Sequence, residues 1–329
     1  MIKLSAYKLK MKPFQYFLLK LVVLFAFVFV FDFLIGNTLS YFYFRQKRGE
    51  QYLITYSIEK TKADFLIFGS SRANHHYRPN IFEKRLDLSC YNAGLDGCFI
   101  LYNYAVLKAI LRRYSPKIII LDFRRREFAK SQDNYDRLSF LLPYYRSHPE
   151  IRSIIELKSP YEKFKLLSSI YPYNSSMLII AGANAMITKK RREDISGYVP
   201  LKGIWNSSIQ IDENSVNYEL DSTLVKTYES FIQDCIYSKA KLYIICSPYF
   251  IKFNHTDFSV TVAKKIAKKY NVKFLDYSKD SIFINNSKLF FDPNHLNDEG
   301  AILFSNMLID SISEVSHRLS TPKSNSIVF

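Results

Sequence analysis

DFLIFGSSR, residues 64–72, is the stretch that indicates the fold most directly. A short apolar run closed by Gly69 is typical of a strand that is buried on both faces. Such strands belong to parallel sheets that are covered by helices. Ser70 and Ser71 would then stand where the strand ends, the edge at which these sheets bind ligands and where backbone N–H groups can stabilise an oxyanion. Taken alone, Gly-Ser-Ser is a common turn.

The alternation of short apolar runs and helical patterns continues along the chain. Further strands are predicted at 88–92, 117–122, 241–246 and 272–275, and helices at 79–86, 100–114, 220–238, 260–270 and 297–315. Strands that alternate with helices of about a dozen residues imply crossover connections and a parallel sheet with helices on both faces. We therefore predict a three-layer α/β/α domain over residues 63–316.

The stretch 123–218 interrupts this alternation. It is rich in tyrosine and serine and has helical patterns near 153–167 and 176–190. We interpret it as a large helical insertion or a cap over the site.

An apolar segment near the start of the chain predicts a membrane anchor. Residues 14–36 read FQYFLLKLVVLFAFVFVFDFLIG, which reaches the roughly 20 residues that a bilayer requires. Lys20 and Asp32 lie near its two ends, where charges are tolerated. No small-residue cleavage site follows, so we expect a retained transmembrane helix and not a removed signal peptide. A buried core helix is the alternative.

The distribution of basic residues predicts the orientation of this anchor. Four lysines lie between positions 3 and 12, and three basic residues follow at 45–48, so the contrast is shallow. The positive-inside rule favours a cytoplasmic tail at 1–13, a connector at 37–62 and a globular domain outside the cytoplasm, in the periplasm or at the cell surface. Residues 317–329 are expected to form a flexible tail.

The net charge of +16 raises the question of nucleic acid, but the basic residues are spread along the chain. The densest blocks are Arg124–Arg126 and Lys189–Arg192, and no nucleic-acid-binding motif accompanies them. We predict no nucleic-acid partner. An anionic membrane surface, an anionic envelope glycan or a plain solvated basic surface explains the charge equally well.

The cysteines and histidines do not indicate a metal site. Four cysteines (Cys90, Cys98, Cys235 and Cys246) lack metal-ligand spacing, and a disulfide between the first two is left open. His75 and His76 are adjacent, so their side chains diverge, and we expect them at the rim of the site. No metal and no cofactor are predicted.

A second polar cluster, FDPNHLN at 291–297, precedes the last predicted helix. Asp292 stands three residues ahead of His295, in a loop stiffened by Pro293, so its carboxylate can hold the imidazole. An imidazole held in this way can take a proton from a serine hydroxyl. Alone, Asp292 could be a helix cap and His295 a packed loop residue. A calcium loop is excluded because Leu296 stands where an oxygen ligand is required.

Taken together, Gly-Ser-Ser after the first strand and Asp-x-x-His before the last helix resemble the SGNH/GDSL hydrolase superfamily. The chain is most similar to its membrane-anchored branch associated with bacterial surface polysaccharides, where Gly-Ser-Ser replaces Gly-Asp-Ser. The resemblance covers 63–97 and 241–313 and not the middle. It implies a flavodoxin-like parallel sheet, preceded here by one transmembrane helix.

The resemblance also implies roles for individual residues. Ser71 matches the nucleophile, with Ser70 as the fallback, His295 the general base and Asp292 its orienting partner. The N–H groups of Ser71 and Gly94 would bind the oxyanion. The residues expected at the rim or against substrate are Ser70, Arg72, Asn92 and Asn294.

One part of the family pattern is missing. Where the third block has Gly-x-Asn-Asp, this chain has Leu121-Asp122-Phe123-Arg124, so a side-chain amide donor to the oxyanion is absent or comes from elsewhere.

The expected function is that of an extracytoplasmic serine esterase or O-acyltransferase acting on acyl esters of a surface glycan or its lipid-linked precursor. The expected partners are the membrane and a membrane acyltransferase or polysaccharide-assembly component. The alternative is a catalytically silent membrane-anchored scaffold or glycan-binding component of such a polysaccharide assembly complex. The missing third block and the serine at position 70 motivate this alternative.

Overall fold

A parallel sheet of five strands organises the globular part of the chain. The computed structural model describes residues 12–184, 194–206, 217–253 and 255–320. The basic run at 189–192, the N-terminal lysines before position 12 and the tail beyond 320 lie outside the described residues. The strands of the sheet are β1 (Phe65–Phe68), β2 (Cys90–Asn92), β3 (Ile118–Asp122), β4 (Lys241–Cys246) and β5 (Lys273–Asp276).

The strand order is β2-β1-β3-β4-β5, and every neighbouring pair is parallel. This order is that of flavodoxin-like sheets, so the predicted α/β class is confirmed. A separate antiparallel hairpin is formed by β6 (Phe290–Asp292) and β7 (His295–Leu296).

Successive residues of each strand point to opposite faces of the sheet and so supply two cores. In β1, Phe65 and Ile67 pack on one face, and Leu66 and Phe68 on the other, all four fully buried. A strand with no exposed residue needs a helix layer on each side. This explains why the sequence shows continuous apolar runs here and no alternation.

The described residues form the α-helices α1 (Pro13–Phe44), α2 (Glu50–Thr55), α3 (Ser71–His76), α4 (Pro79–Leu86), α5 (Ile100–Leu111), α6 (Asp133–Asp136), α7 (Arg152–Ile155), α8 (Glu162–Lys165), α9 (Met177–Asn184), α10 (Ser222–Tyr237), α11 (Phe258–Lys269) and α12 (Asp298–Ser320). Six of them cover the two faces of the sheet. Helices α3, α4 and α12 pack on the face of Phe65, while α5, α10 and α11 pack on the face of Leu66.

The insertion between β3 and α10 has short helical pieces near 153–167, which are α7 and α8. No single helix runs through this stretch, because Pro160 lacks the N–H and the backbone freedom that a helix interior requires. Short α-helices alternate here with 3₁₀ turns at Arg137–Tyr144, Pro149–Ile151, Glu156–Lys158 and Tyr171–Ser176. Its helical part packs against α5 and α1. No described residue between 133 and 184 lines the cleft at Ser71, so this part does not cap the site.

Helix α1 has 32 residues, a length of about 48 Å at 1.5 Å per residue. Among the described residues it is the one helix long and apolar enough to cross a membrane, and its apolar side chains are exposed, as at Phe29. Its second half contacts the insertion. Asp32 accepts hydrogen bonds from the Ser168 hydroxyl and from the backbone N–H groups of Ser169 and Ile170.

The segment after α1 is part of the core. Leu53 and Ile54 of α2 and Ile58 of the following π-helical turn, Tyr56–Lys60, are buried. The connector therefore joins the globular part to α1 through packed side chains.

Candidate active site

The carboxyl ends of the parallel strands bring the predicted site residues to one edge of the sheet. Ser70 and Ser71 follow β1, Gly94 follows β2, Asp122 ends β3 and Ser247 follows β4. The β6–β7 hairpin presents the Asp-x-x-His loop to the same edge, although 224 positions separate Ser71 from His295.

Three of the predicted residues form one hydrogen-bonded chain. The Ser71 Oγ lies 2.7 Å from His295 Nε2. The other ring nitrogen, Nδ1, lies 2.8 Å and 2.9 Å from the two carboxylate oxygens of Asp292. A carboxylate only accepts, so Nδ1 carries the proton and Nε2 is left to accept from the serine hydroxyl. This is the tautomer that a general base requires.

Asp292 is fixed by more than the imidazole. Its Oδ1 also accepts the backbone N–H groups of Asn294, at 2.8 Å, and of His295, at 2.9 Å. Partial burial works against ionisation, but the hydrogen bonds and the charge of His295 outweigh it. The pKa of the Asp292 carboxyl therefore lies below its ordinary value of 3.8. The carboxylate stays ionised and can stabilise an imidazolium.

Ser71 is the first residue of α3, reached through a tight turn at Gly69. The φ of Gly69 is +147°, and a Cβ there would lie 2.7 Å from the Ala73 Cβ, so only glycine fits. The first N–H groups of a helix have no acceptor within the helix. The Ser71 N–H is therefore positioned beside its own hydroxyl to bind an oxyanion.

Asn92 and Gly94 differ from their predictions. Asn92 is buried, and its Nδ2 donates to the carbonyls of Ala73 and Tyr77, so the prediction that it lines the rim is wrong. Its Oδ1 accepts the Gly94 N–H at 3.0 Å. That N–H is thus already engaged in this structure, and Asn92 instead ties β2 to the end of α3.

Arg72 lines the cleft but its guanidinium is tied to protein groups. It donates to the Ser247 carbonyl, to the Ser247 Oγ at 2.8 Å, to the Pro248 carbonyl at 3.2 Å and to the Asn294 carbonyl at 3.3 Å. It also stacks on the Tyr249 ring, with 3.6 Å from Cζ to the centroid. Arg72 therefore joins the end of β4 to the loop that carries His295.

Asp122 ends β3 one residue before Phe123, which stands where the family pattern has its amide donor. Asp122 is buried, accepts the Tyr77 hydroxyl at 2.5 Å and the Ser247 N–H at 3.3 Å, and lies 3.7 Å from Arg72 Nε. An ionised carboxylate has no hydrogen to donate. It cannot replace the amide as an oxyanion donor.

The two adjacent histidines are buried, not at the rim. His76 Nε2 accepts the Leu296 N–H at 3.0 Å, so Nδ1 is protonated and donates to Ser247 Oγ at 3.0 Å. Burial first, and then the charge of Arg72, hold the pKa of His76 well below its ordinary value of 6.5. His75 Nδ1 lies 2.6 Å from the Val199 carbonyl.

The sequence reasoning missed that His76 supports the loop of His295. A histidine on the helix that begins with Ser71 was the available signal, but only the fold shows that it meets Leu296. Among the described residues, no group of three or more His, Cys, Asp or Glu could hold a metal ion. All four cysteines are free and buried, and burial raises the pKa of the Cys90 and Cys98 thiols well above its ordinary value of 9.0.

A cleft of about 390 Å³ opens beside Ser71 and His295. Ser70 and Asn294 line it, as predicted from the sequence. The remaining lining residues, apart from Arg72, are Gly97, Phe99, Arg124, Arg125, Arg126, Tyr249 and Phe253. An aromatic and basic wall of this kind can hold a polar ligand whose ester faces the serine.

No family model and no curated protein matches the chain. It is similar to several solved esterase structures. An acetyl xylan esterase is 13 % identical, with a TM-score of 0.39 and coverage of 75 % of this chain and 99 % of that chain. A two-domain esterase active on acetylated mannans is 13 % identical, with a TM-score of 0.41 and coverage of 80 % and 50 %. A psychrotrophic esterase from Pseudoalteromonas sp. is 10 % identical, with a TM-score of 0.41 and coverage of 77 % and 98 %.

These likenesses concern the fold. The chemistry proposed below rests on the side chains of this chain.

Proposed function

We propose that this chain is a serine esterase or O-acyltransferase that acts on acyl esters of a cell-surface glycan or its lipid-linked precursor. The observation that carries the proposal is the unbroken chain of hydrogen bonds from Ser71 through His295 to Asp292. Its two links measure 2.7 Å and 2.8 Å. Both distances are within reach of proton transfer before any substrate binds.

The proposed reaction proceeds in two steps. The Ser71 Oγ attacks the ester carbonyl while its proton moves to His295 Nε2, and Asp292 stabilises the imidazolium. The imidazolium returns this proton to the leaving alkoxide, and an acyl-serine remains. Water or a sugar hydroxyl then attacks the acyl carbonyl, and His295 takes its proton. The bond from the acyl carbon to the Ser71 Oγ breaks, His295 returns the proton to that oxygen, and the acyl group leaves as an acid or as a new ester.

The oxyanion donors set the expected rate. The Ser71 N–H is one donor, whereas the Gly94 N–H would have to leave Asn92 to become a second. The family's amide donor is absent, since Phe123 stands in its place and has no side-chain N–H. Loss of one donor typically lowers kcat by about 10²- to 10³-fold. We therefore expect slow turnover of simple esters, with faster turnover for substrates whose own binding reorganises Gly94.

The proposed setting is the outer side of a membrane. The exposed apolar surface of α1 suits a lipid environment, and the basic residues before it suit a cytoplasmic N-terminus. The globular domain would then lie in the periplasm or at the cell surface, beside a membrane acyltransferase or a polysaccharide-assembly component. The polar part of the cleft lining, with Ser70 and Asn294, suits the hydroxyl groups of a sugar.

Hydrolysis of 4-nitrophenyl acetate by the full chain, reconstituted in nanodiscs, tests the proposal. The Ser71→Ala variant should lose turnover to the background rate. The matched Ser70→Ala variant removes a neighbouring hydroxyl and should keep turnover within a few-fold. If Ser71→Ala retains turnover and Ser70→Ala loses it, the nucleophile is misassigned.

A second candidate is a catalytically silent membrane-anchored scaffold or glycan-binding component of a polysaccharide assembly complex. The engagement of the Gly94 N–H by Asn92 and the phenylalanine at position 123 in place of an amide favour it. A folded wild-type chain that binds glycan but acylates neither Ser71 nor Ser70 would support this candidate.

A further inference from the structure

Three consecutive arginines, Arg124–Arg126, follow β3 and line the cleft beside Ser71. Arg72 lines it as well. No aspartate or glutamate is among the described residues of the lining. The wall of the cleft is therefore positively charged close to the reacting serine.

The guanidinium groups are held in place before any ligand binds. Arg124 stacks on Phe99 with 4.0 Å from Cζ to the ring centroid, and Arg125 stacks on Phe253 with 3.8 Å. A guanidinium that lies flat on a ring keeps its N–H edge available for an anion. Stacking also reduces the side-chain entropy lost when a ligand binds.

The charges of these arginines are only partly balanced. Asp122 lies 3.7 Å from Arg72, and Glu127 lies 3.0 Å from Arg124. No described carboxylate forms an ion pair with the guanidinium of Arg125, whose Nη1 donates to the His255 carbonyl at 3.2 Å.

Arg126 stands in the left-handed backbone region, with a φ of 60°. Its backbone N–H donates to the carboxylate of Asp257, which also accepts from the Tyr218 hydroxyl. Even if the charge of Asp257 is assigned wholly to Arg126, Arg125 is the one arginine of the four in the cleft lining whose guanidinium has no described carboxylate against it. Its N–H groups can therefore bind a ligand.

We infer that this cleft selects esters that carry a negative charge, and that Arg125 is the main group that binds it. The inference rests on the proposed function, because it names the substrate class of the same site. The shared chemistry is a carboxylate or a phosphate, on the acyl or the alcohol part of the ester. Both are ionised at neutral pH, and both accept paired N–H bonds from a guanidinium.

Two matched ester pairs test the inference. One pair is 4-nitrophenyl butyrate and the 4-nitrophenyl monoester of succinate, which differ in charge on the acyl side. The other is an O-acetylated methyl glucoside and its glucuronide, which differ on the alcohol side. In at least one pair, the charged ester should have a KM about 10- to 100-fold lower than the neutral ester. This factor corresponds to the free energy of one charge-assisted hydrogen bond.

The variant Arg125→Gln should abolish the preference, because the KM of the charged ester should rise to that of its neutral partner. Arg112→Gln is the matched control, since Arg112 is an exposed arginine of α5's end outside this cleft. Added salt should weaken the preference only modestly if the anion is partly buried. Equal KM values within both pairs, with Ser71-dependent turnover intact, would overturn this inference and leave the proposed function standing.

A direct binding measurement tests the inference even if the protein turns over neither ester. Calorimetry with methyl glucuronide and glucose 1-phosphate distinguishes carboxylate from phosphate, and methyl glucoside is the neutral control. Binding of either anion that is lost in Arg125→Gln supports the anion site even if no ester is cleaved, in which case only the proposed function fails. If neither anion binds and no ester is cleaved, both proposals fail.

Discussion

Two carboxylates of this molecule do similar work in different places. Asp292 accepts hydrogen bonds from the His295 imidazole and from two backbone N–H groups within its own loop. Asp32, on the apolar helix α1, accepts a hydroxyl and two backbone N–H groups from Ser168–Ile170. Each carboxylate fixes a loop by accepting hydrogen bonds from the N–H and O–H groups of that loop. The first loop belongs to the proposed reaction centre, whereas the second joins α1 to the insertion. The same chemistry would thus support the proposed catalysis in one place and attachment in the other.

The largest effect should separate these two carboxylates by activity. Asp292→Asn leaves the shape of the loop but allows the wrong imidazole tautomer, which lowers kcat by about 10⁴-fold in a serine triad. Asp32→Asn, far along the chain from the reacting groups, should leave kcat within about threefold, since it touches no group of the proposed reaction. Steady-state kinetics of both variants on one ester measures this, and comparable losses of kcat would break the distinction.

The next largest effect is a loss of stability when a larger side chain is placed where α1 contacts the insertion. A Cβ on Gly36 would lie 2.4 Å from the Ser169 Cβ and 2.5 Å from its backbone, so Gly36→Ala should destabilise this contact by about 1–3 kcal/mol. Gly182→Ala on α9 is the control. A Cβ there meets nothing within 4 Å, and alanine favours a helix by up to about 1 kcal/mol.

Thermal unfolding of both variants in nanodiscs gives the comparison. We expect a lower Tm for Gly36→Ala and an unchanged or higher Tm for Gly182→Ala, with turnover of the folded proteins retained. A Gly36→Ala variant as stable as wild type would show that the helix and the insertion do not pack as described.

The smallest expected effect is a pH dependence of stability where the connector meets the insertion. His148 lies 2.7 Å from Glu59 and 2.7 Å from Glu150. The hydrogen bond that His148 donates to Glu59, opposed by burial and helped by Glu150, raises the pKa of His148 above its ordinary value of 6.5. A raised pKa contributes stability that is complete below the unfolded value and is lost as the pH rises through the folded value.

The Tm of wild type should therefore fall over a window of pH that begins at about 6.5, by no more than the roughly 1 kcal/mol of a partly exposed ion pair. His148→Gln keeps a hydrogen-bonding side chain without titrating there, so its Tm should be flat over this window. Parallel curves for the two proteins would contradict the assignment.

The sequence was informative for the loop of Asp292 and less so for the contact between α1 and the insertion. The strands and most helices outside the insertion were recognisable because their apolar patterns are local. Asp292 and His295 are three residues apart, and Ser71 follows a buried strand. The carboxyl ends of parallel strands lie at one edge of a sheet, so a parallel topology was enough to predict that Ser71 and His295 lie close together.

Other features depend on contacts that no local pattern encodes. The sequence predicts Asp32 only as a charge tolerated near the end of an anchor. The hydrogen bonds that its carboxylate accepts from Ser168–Ile170 depend on how the insertion packs. Likewise, Asn92 and His76 are polar residues at a sheet edge, a position that suits a rim as well as an internal support. Only the packing of α3 decides that both are internal.

Labelling with a fluorophosphonate tests the central claim most directly, because the reagent requires an activated serine and no particular substrate. Incubation of the full chain in nanodiscs, followed by mass spectrometry of its peptides, should find one adduct, on Ser71. The adduct should persist in Ser70→Ala and be lost or strongly slowed in His295→Ala. A folded wild-type chain that stays unlabelled, or that carries the adduct on Ser70, would contradict the account.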